Sequence, residues 1–184
     1  MKIGVIGAGE IGATLAARWV SSGHDVSIAN SRGGEAVRPI AGKIGAKAAD
    51  ITAAIGDAEI VLLAMPFPAA ATLPRKLFHR AAEDVVIIDA ANYYPDIRDA
   101  RIAEIDDGMA ESVWVSRQLG RPIFKAFNSM MFHALSQLGR PKGAPDRLAI
   151  PVAGDDPGGK RIVMGLVDEA GFDMLVMGAY GHSR

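Results

Sequence analysis

The chain has 184 residues, of which 49% are hydrophobic and 22% charged, and its 20 Lys and Arg against 21 Asp and Glu give a net charge of −1. A chain of this size and composition can bury roughly 70% of its unfolded surface, which excludes disorder as its main state. Because the charge is balanced and no long basic run occurs, neither nucleic acid nor an anionic membrane is expected as the main partner. We therefore expect a small-molecule partner.

The sequence lacks cysteine, which excludes disulfides, a thiolate nucleophile and a cysteine-ligated metal. The histidines stand far apart, at positions 24, 79, 133 and 182, so no metal site is expected. No apolar stretch reaches the ~18 residues that would span a bilayer, and no signal peptide follows the first residue. These features predict a cytoplasmic protein.

Short apolar runs alternate along the chain with segments of helical period, a pattern typical of a parallel sheet with helices on both faces. The apolar runs predict strands at 2–7, 25–30, 59–64, 85–90, 122–127, 148–153 and 172–177. Most are apolar throughout, as strands buried on both faces should be. The periodic segments predict helices at 10–22, 35–44, 50–56, 70–82, 110–119 and 157–170. We expect one doubly wound α/β domain spanning residues 1–184, with a mostly parallel sheet.

A glycine-rich motif stands between the first predicted strand and the first predicted helix: Gly7-Ala8-Gly9-Glu10-Ile11-Gly12. Gly7 permits the tight turn, Gly9 lets the backbone approach a pyrophosphate, and Gly12 allows the helix to pack close to the strand. The helix N-terminus adds free N–H donors and the positive end of its dipole. Taken alone, the motif is compatible with a simple tight turn. Its position between a strand and an amphipathic helix favours dinucleotide binding.

The second predicted strand ends about 20 residues after this motif, where an NAD site would place an acidic residue on the ribose. The sequence has Asn30, Ser31 and Arg32 there instead. A hydroxyl and a guanidinium can bind a 2′-phosphate, which a carboxylate would repel. The residues therefore predict NADP(H) rather than NAD(H). In the alternative interpretation Arg32 is a solvated loop residue, and Glu35 turns back to bind the ribose.

Further short motifs follow in order along the chain: Ala64-Met65-Pro66, Ile88-Asp89-Ala90-Ala91-Asn92, Lys125-Ala126-Phe127-Asn128 and Gly154-Asp155-Asp156. With this ordered set, nearly the whole chain resembles the NADP oxidoreductase family that uses the deazaflavin coenzyme F420. The resemblance implies a Rossmann-like domain that binds NADP(H) and transfers a hydride between nicotinamide and a deazaflavin or flavin-like acceptor. It also implies a homodimer, for which the apolar segment 174–177 is a second indication. Family members usually continue beyond the segment that matches residues 178–184, so we expect a shortened C-terminal tail.

The resemblance also implies which residues bind the cofactor. Ala8, Gly9, Glu10 and Ile11 would line the pyrophosphate, Ser31 and Arg32 the 2′-phosphate, and Met65 and Pro66 the adenosine side. Ala90, Ala91, Asn92, Ala126 and Asn128 would lie near the nicotinamide. All these segments follow predicted parallel strands at the carboxyl ends, where open α/β sheets bind ligands.

The acceptor side is less defined by sequence. Hydride transfer between two rings depends on orientation more than on a protein nucleophile, so no catalytic residue is assigned, and His133 stays a hypothetical proton donor. Tyr93, Tyr94 and the segment 130–132 belong either to an acceptor pocket or to the core. The alternative function is a non-catalytic NADP(H)-binding module that senses redox state or works with a partner. A β-hydroxyacid dehydrogenase or imine reductase would need a helical second domain, for which no chain remains.

Overall fold

The computed structural model describes residues 1–178, except the side chains of residues 79 and 80, so His182 lies outside the described residues. The strands are β1 (Lys2–Ile6), β2 (Asp25–Ala29), β3 (Lys47–Ala48), β4 (Ile60–Leu63), β5 (Val86–Asp89), β6 (Phe124–Lys125), β7 (Ala149–Val152) and β8 (Asp173–Val176). The helices are α1 (Glu10–Ser21), α2 (Gly34–Ile44), α3 (Ile51–Gly56), α4 (Arg75–Arg80), α5 (Ala103–Asp106), α6 (Glu111–Leu119), α7 (Phe132–Gln137) and α8 (Pro157–Glu169). A 3₁₀ helix, Phe67–Thr72, precedes α4.

The central sheet contains six parallel strands in the order β3-β2-β1-β4-β5-β6. The chain order reverses between β1 and β4, and such a switch point opens a crevice at the carboxyl ends of the strands. Strands β7 and β8 form a separate parallel pair. This pair is attached to β6 by an antiparallel bridge in which Lys125 and Ala153 exchange backbone hydrogen bonds of 2.8 and 3.0 Å. The doubly wound, Rossmann-like α/β fold is thereby confirmed.

Both faces of the sheet are buried, because successive side chains of each central strand point to opposite sides. One face carries Ile3 and Val5 of β1 and is covered by α1, α2, α7 and α8. The opposite face carries Ile6 of β1 and Val61 of β4 and is covered by α3, the 3₁₀ helix, α4 and α6. Two apolar layers therefore hold the strand ends rigidly around the crevice. Within residues 1–178, no helix combines the length and hydropathy needed to cross a bilayer.

The helix predicted at 70–82 is wrong in its extent. The chain forms the 3₁₀ helix, leaves helical geometry at Leu73 and resumes as α4 after Pro74. Proline has no N–H to donate, and it disfavours helical geometry in the residue before it. The sequence patterns missed β3, α5 and α7, since elements of two to six residues are too short to show a period.

Candidate active site

The turn between β1 and α1 is shaped by three glycines with different surroundings. Gly7 has a left-handed φ of 118°, and a Cβ there would lie 2.2 Å from the carbonyl oxygen of Ala64. A Cβ on Gly12 would lie 1.9 Å from the carbonyl oxygen of Gly7. A Cβ on Gly9 would meet no atom within 4 Å. Gly7 and Gly12 thus permit close backbone packing, whereas Gly9 leaves open space at the N-terminus of α1.

Two cavities open along the carboxyl ends of the strands. The β2-side cavity has a volume of about 470 Å³, and the β5-side cavity has a volume of about 510 Å³. They share a wall made of Gly9, Ala64, Met65 and Pro66. The crevice is therefore continuous across the switch point between β1 and β4.

Most residues predicted to bind the cofactor line this crevice. Besides the shared wall, the β2-side cavity takes Gly7, Ala8, Asn30, Ser31 and Arg32. The β5-side cavity takes Glu10, Ile11, Ala90, Ala91, Asn92 and Asn128.

Two residues of the predicted cofactor-binding set do not line either cavity: Gly12, which has the packing role expected of it, and Ala126. Gly12 is buried in α1 against the turn at Gly7, and Ala126 is fully buried in the core with its N–H donating to the carbonyl oxygen of Asp89. Sequence adjacency did not reveal this, because the direction of each side chain depends on packing. Ala126 supports the crevice from beneath rather than facing it.

The end of β2 is organised by a side-chain turn. The Oδ1 atom of Asn30 accepts a hydrogen bond of 2.8 Å from the N–H of Arg32, which is an Asx turn. Ser31 and Arg32 are exposed at the mouth of the β2-side cavity. Glu35, the alternative ribose ligand, is instead hydrogen-bonded to Arg38 and does not line the cavity.

A buried ion pair lies beneath the β5-side cavity and was not predicted. Lys125 is 4% exposed, and its Nζ lies 2.7 Å from Oδ2 of Asp89 and 3.4 Å from Oε2 of Glu111. The same Nζ donates to the carbonyl oxygen of Ala91, whose N–H donates to Oδ1 of Asp89. The turn that follows β5 is thus held from below by Lys125 and Asp89. Because the two residues are 36 positions apart, no local spacing indicated the pair.

The two predicted nicotinamide segments are bound to each other. Nδ2 of Asn92 donates to the carbonyl oxygen of Asn128 at 2.7 Å, and Nδ2 of Asn128 donates to Oδ1 of Asn92 at 3.1 Å. Phe127, directly before Asn128, has a φ of 66°. This value is unusual for a bulky residue and requires support from its surroundings. The ends of β5 and β6 therefore form one fixed platform.

The outer wall of the β5-side cavity contains an arginine that sequence patterns missed. The guanidinium of Arg98 lies 5.1 Å from the ring centre of Tyr94. Its Nε and Nη2 donate to both carboxylate oxygens of Asp99, at 2.8 and 2.9 Å, and Nη2 also donates to the carbonyl oxygen of Asn92 at 2.8 Å. Asp99 has a side chain only 3% exposed, and its hydrogen bond with Arg98 lowers the pKa of its carboxyl below the ordinary value. The guanidinium is therefore held in one position.

The remaining candidates divide between core and cavity. Tyr93 is buried, and its hydroxyl accepts a hydrogen bond of 2.7 Å from the N–H of Ile102, so it belongs to the core. Tyr94 and the segment 130–132 line the β5-side cavity. His133 is exposed and does not line that cavity.

The chain matches one family model and several solved structures. Residues 2–93, half of the chain, match the family model described as NADP oxidoreductase, coenzyme F420-dependent. A search of curated proteins finds no match. A hypothetical protein from Sinorhizobium meliloti is 26% identical, with a TM-score of 0.79 over 98% of this chain and 86% of that one. A protein from Arthrobacter sp. FB24, provisionally described as an F420-dependent NADP reductase, is 22% identical, with a TM-score of 0.75 and the same coverage.

Larger reductases share the fold. A 3-hydroxyisobutyrate dehydrogenase from Mycobacterium tuberculosis is 17% identical, with a TM-score of 0.70, and matches 97% of this chain but 55% of its own. An imine reductase from Myxococcus stipitatus is 18% identical, with a TM-score of 0.70, and matches 98% of this chain and 56% of its own. These two show the fold alone. On the family match over half of its length, the chain belongs to the coenzyme F420-dependent NADP oxidoreductase family and is an NADP-dependent oxidoreductase.

Proposed function

We propose that this protein transfers a hydride between NADP(H) and a planar deazaflavin or flavin-like acceptor bound in the β5-side cavity. The observation that carries the proposal is the pair of cavities joined along Gly9, Met65 and Pro66. A dinucleotide laid across the switch point would have its adenosine in the β2-side cavity and its nicotinamide in the β5-side cavity. The β5-side cavity would then hold the second ring beside the nicotinamide.

The cofactor half of the proposal rests on space and charge. Gly9 leaves open space at the N-terminus of α1, where free N–H groups and the helix dipole favour a pyrophosphate. Ser31 and Arg32, presented by the Asx turn, would bind the 2′-phosphate. Met65 and Pro66 would pack against the adenosine side. The residues of this half therefore fit NADP(H).

The nicotinamide half rests on the platform at the ends of β5 and β6. Ala90, Ala91, Asn92 and Asn128 line the β5-side cavity above Lys125. Small side chains at the first two positions would let a ring approach the backbone closely. The hydrogen bonds between the two asparagines would keep that surface fixed, which is how a protein contributes orientation to a reaction.

The cofactor supplies the redox chemistry: reduced nicotinamide gives up a hydride, two electrons with one proton, and the acceptor ring gains that hydride together with one negative charge. The chain itself would hold the acceptor and limit access of water. Met130, Met131 and Phe132 form an apolar wall, and the unbranched thioether side chains can adapt to a flat ring. No protein nucleophile is required.

The experiment mixes purified protein with NADPH and follows the NADPH absorbance after addition of coenzyme F420, FMN, FAD, a quinone or a ferric chelate. Oxidation of NADPH by the deazaflavin or a flavin supports the proposal. Binding of NADPH without oxidation by any acceptor contradicts it and favours the redox-sensing module. Oxidation by the quinone or ferric chelate alone contradicts the acceptor class.

The exposed edge of the β7-β8 pair is relevant to the oligomeric state of the protein. Leu175, Val176 and Met177 are exposed apolar side chains at the end of β8. A second copy that covered them would remove this apolar surface from water, which supports a homodimer. Light scattering coupled to gel filtration tests this, since a monomer at micromolar concentration would contradict it.

A further inference from the structure

Arg98 is held in place by hydrogen bonds within its own loop. The segment from Tyr94 to Asp99 closes on itself, because the N–H groups of Arg98 and Asp99 both donate to the carbonyl oxygen of Tyr94, at 3.1 and 3.0 Å. The carboxylate of Asp99 in turn accepts from the N–H of Tyr94 at 2.9 Å and from the guanidinium. A buried carboxylate thus fixes a cation on the cavity wall, and little side-chain freedom remains to be lost on binding a ligand.

The fixed guanidinium still has donors available. Nε and Nη2 are used by Asp99 and by the carbonyl oxygen of Asn92. Among the residues that the structure describes, Nη1 of Arg98 has no hydrogen-bond partner, and the residue lines the β5-side cavity. Tyr94 stacks beneath the guanidinium and provides a flat neighbour for it. The wall therefore presents a planar cation to whatever shares the cavity.

The charges that line the β5-side cavity are unevenly distributed. Arg98 is on the wall that follows β5, whereas Glu10 is at the start of α1. These two are the charged side chains among the described residues that line the cavity. An acceptor with negative charge would be attracted by the first and repelled by the second, so its negative part would point toward Arg98.

We infer that Arg98 is the residue that recognises the acceptor, and that the acceptor is anionic where it meets this wall. The inference rests on the proposed function and narrows its acceptor class. The negative charge can have two sources: an acidic substituent such as a phosphate, or the charge that the ring gains with the hydride. Either source would be bound by the same charge-assisted hydrogen bonds.

The test compares Arg98→Met with wild type, using FMN and riboflavin, which have the same ring with and without a phosphate. Arg101→Met is the matched control, because Arg101 belongs to the same loop, pairs with Asp96 and Asp106, and does not line the cavity. Quenching of flavin fluorescence gives the affinity of each flavin for the protein saturated with NADP⁺. Steady-state rates give kcat and KM, and a separate titration gives the affinity for NADPH.

We expect Arg98→Met to keep the wild-type affinity for NADPH. Its affinity for FMN, or its kcat with FMN, should fall about tenfold or more. If the phosphate is the source, FMN affinity falls and riboflavin is unaffected. If the ring is the source, kcat falls for both flavins. Arg98→Lys keeps the positive charge but lacks the planar guanidinium, so its loss should be smaller than that of Arg98→Met. Arg101→Met should match wild type in every measurement.

Equal flavin affinities and rates in Arg98→Met and wild type would overturn the inference while leaving the proposed function intact. A wild-type protein that binds flavin but does not transfer a hydride would contradict the proposed function. In that case the flavin affinities of Arg98→Met and wild type alone test whether Arg98 binds the acceptor. A wild type that binds NADPH but neither flavin nor coenzyme F420 would overturn both.

Discussion

The two halves of the crevice are built in different ways. The β2-side cavity depends mainly on backbone features close in sequence: the glycine turn after β1 and the Asx turn at Asn30. The β5-side cavity depends on side chains that reach across the chain, such as Lys125 with Asp89 and Asn128 with Asn92. Exposed side chains of the first half, such as Arg32, can therefore change with little effect on folding, whereas in the second half binding and stability are coupled.

The largest effect on stability is expected from removing the buried ion pair beneath the β5-side cavity. Lys125→Met would leave the buried Asp89 without its partner, which should lower the free energy of unfolding by about 3–5 kcal/mol. Urea unfolding measures the loss. The control is Lys47→Met, which removes a pair with Asp25 in which both side chains are well exposed, and it should leave the free energy of unfolding close to the wild-type value. Similar losses in both variants would refute the contrast between buried and exposed pairs.

The glycine turn separates stability from binding within the first half. Gly12→Ala would place a methyl group 1.9 Å from the carbonyl oxygen of Gly7 and should cost about 3 kcal/mol of stability. Gly9→Ala meets no atom and should cost less than about 1 kcal/mol. Its methyl group would occupy the pyrophosphate space, so NADPH affinity should fall about tenfold or more. Thermal unfolding and NADPH titration test the pair, and a stable Gly12→Ala would contradict the close packing.

The choice of cofactor is expected to depend on one exposed side chain. Arg32→Ala should weaken NADPH binding by about 1.5–3 kcal/mol and have little effect on NADH, because only NADPH carries the 2′-phosphate. Stability should stay at the wild-type value, since Arg32 is exposed. Arg38→Ala is the control, because Arg38 pairs with Glu35 outside the cavity. Equal losses for NADPH and NADH in a fluorescence titration would contradict the prediction that Arg32 binds the 2′-phosphate.

The same contrast explains how far sequence reasoning reached. The glycine motif and the apolar strands have local spacing that reports local geometry, so the fold and the edge of the sheet that carries the crevice were predictable. The pairing of Lys125 with Asp89 arises from a contact that forms only when distant segments meet. Arg98 is held by residues of its own loop, but that loop has no periodic pattern, and its place on the cavity wall depends on the fold. Ala126 shows the same limit at a single position, since Asn128, two residues later, lines the cavity while Ala126 lies in the core.

The smallest expected effect concerns the support of Arg98 and depends on pH. The pKa of Asp99 lies below its ordinary value of about 3.9 in the folded protein, because the ionised carboxylate is hydrogen-bonded to Arg98. Folding therefore favours the ionised form, and this contribution to stability is complete above about pH 4 and is lost as the pH falls through the lowered pKa. Asp99→Asn keeps an oxygen that can accept from the N–H of Tyr94 but loses the charged pair.

We expect Asp99→Asn to be about 1 kcal/mol less stable than wild type at neutral pH, and the difference should shrink below about pH 4. Urea unfolding at a series of pH values measures it, and Asp107→Asn, on the exposed surface, is the control for the substitution itself. A difference for Asp99→Asn that stays constant into the acidic range would mean that the charge of Asp99 contributes nothing to the loop. Flavin affinity measured in the same variant should fall together with stability, because in the β5-side cavity the group that holds the loop also holds the cation that faces the acceptor.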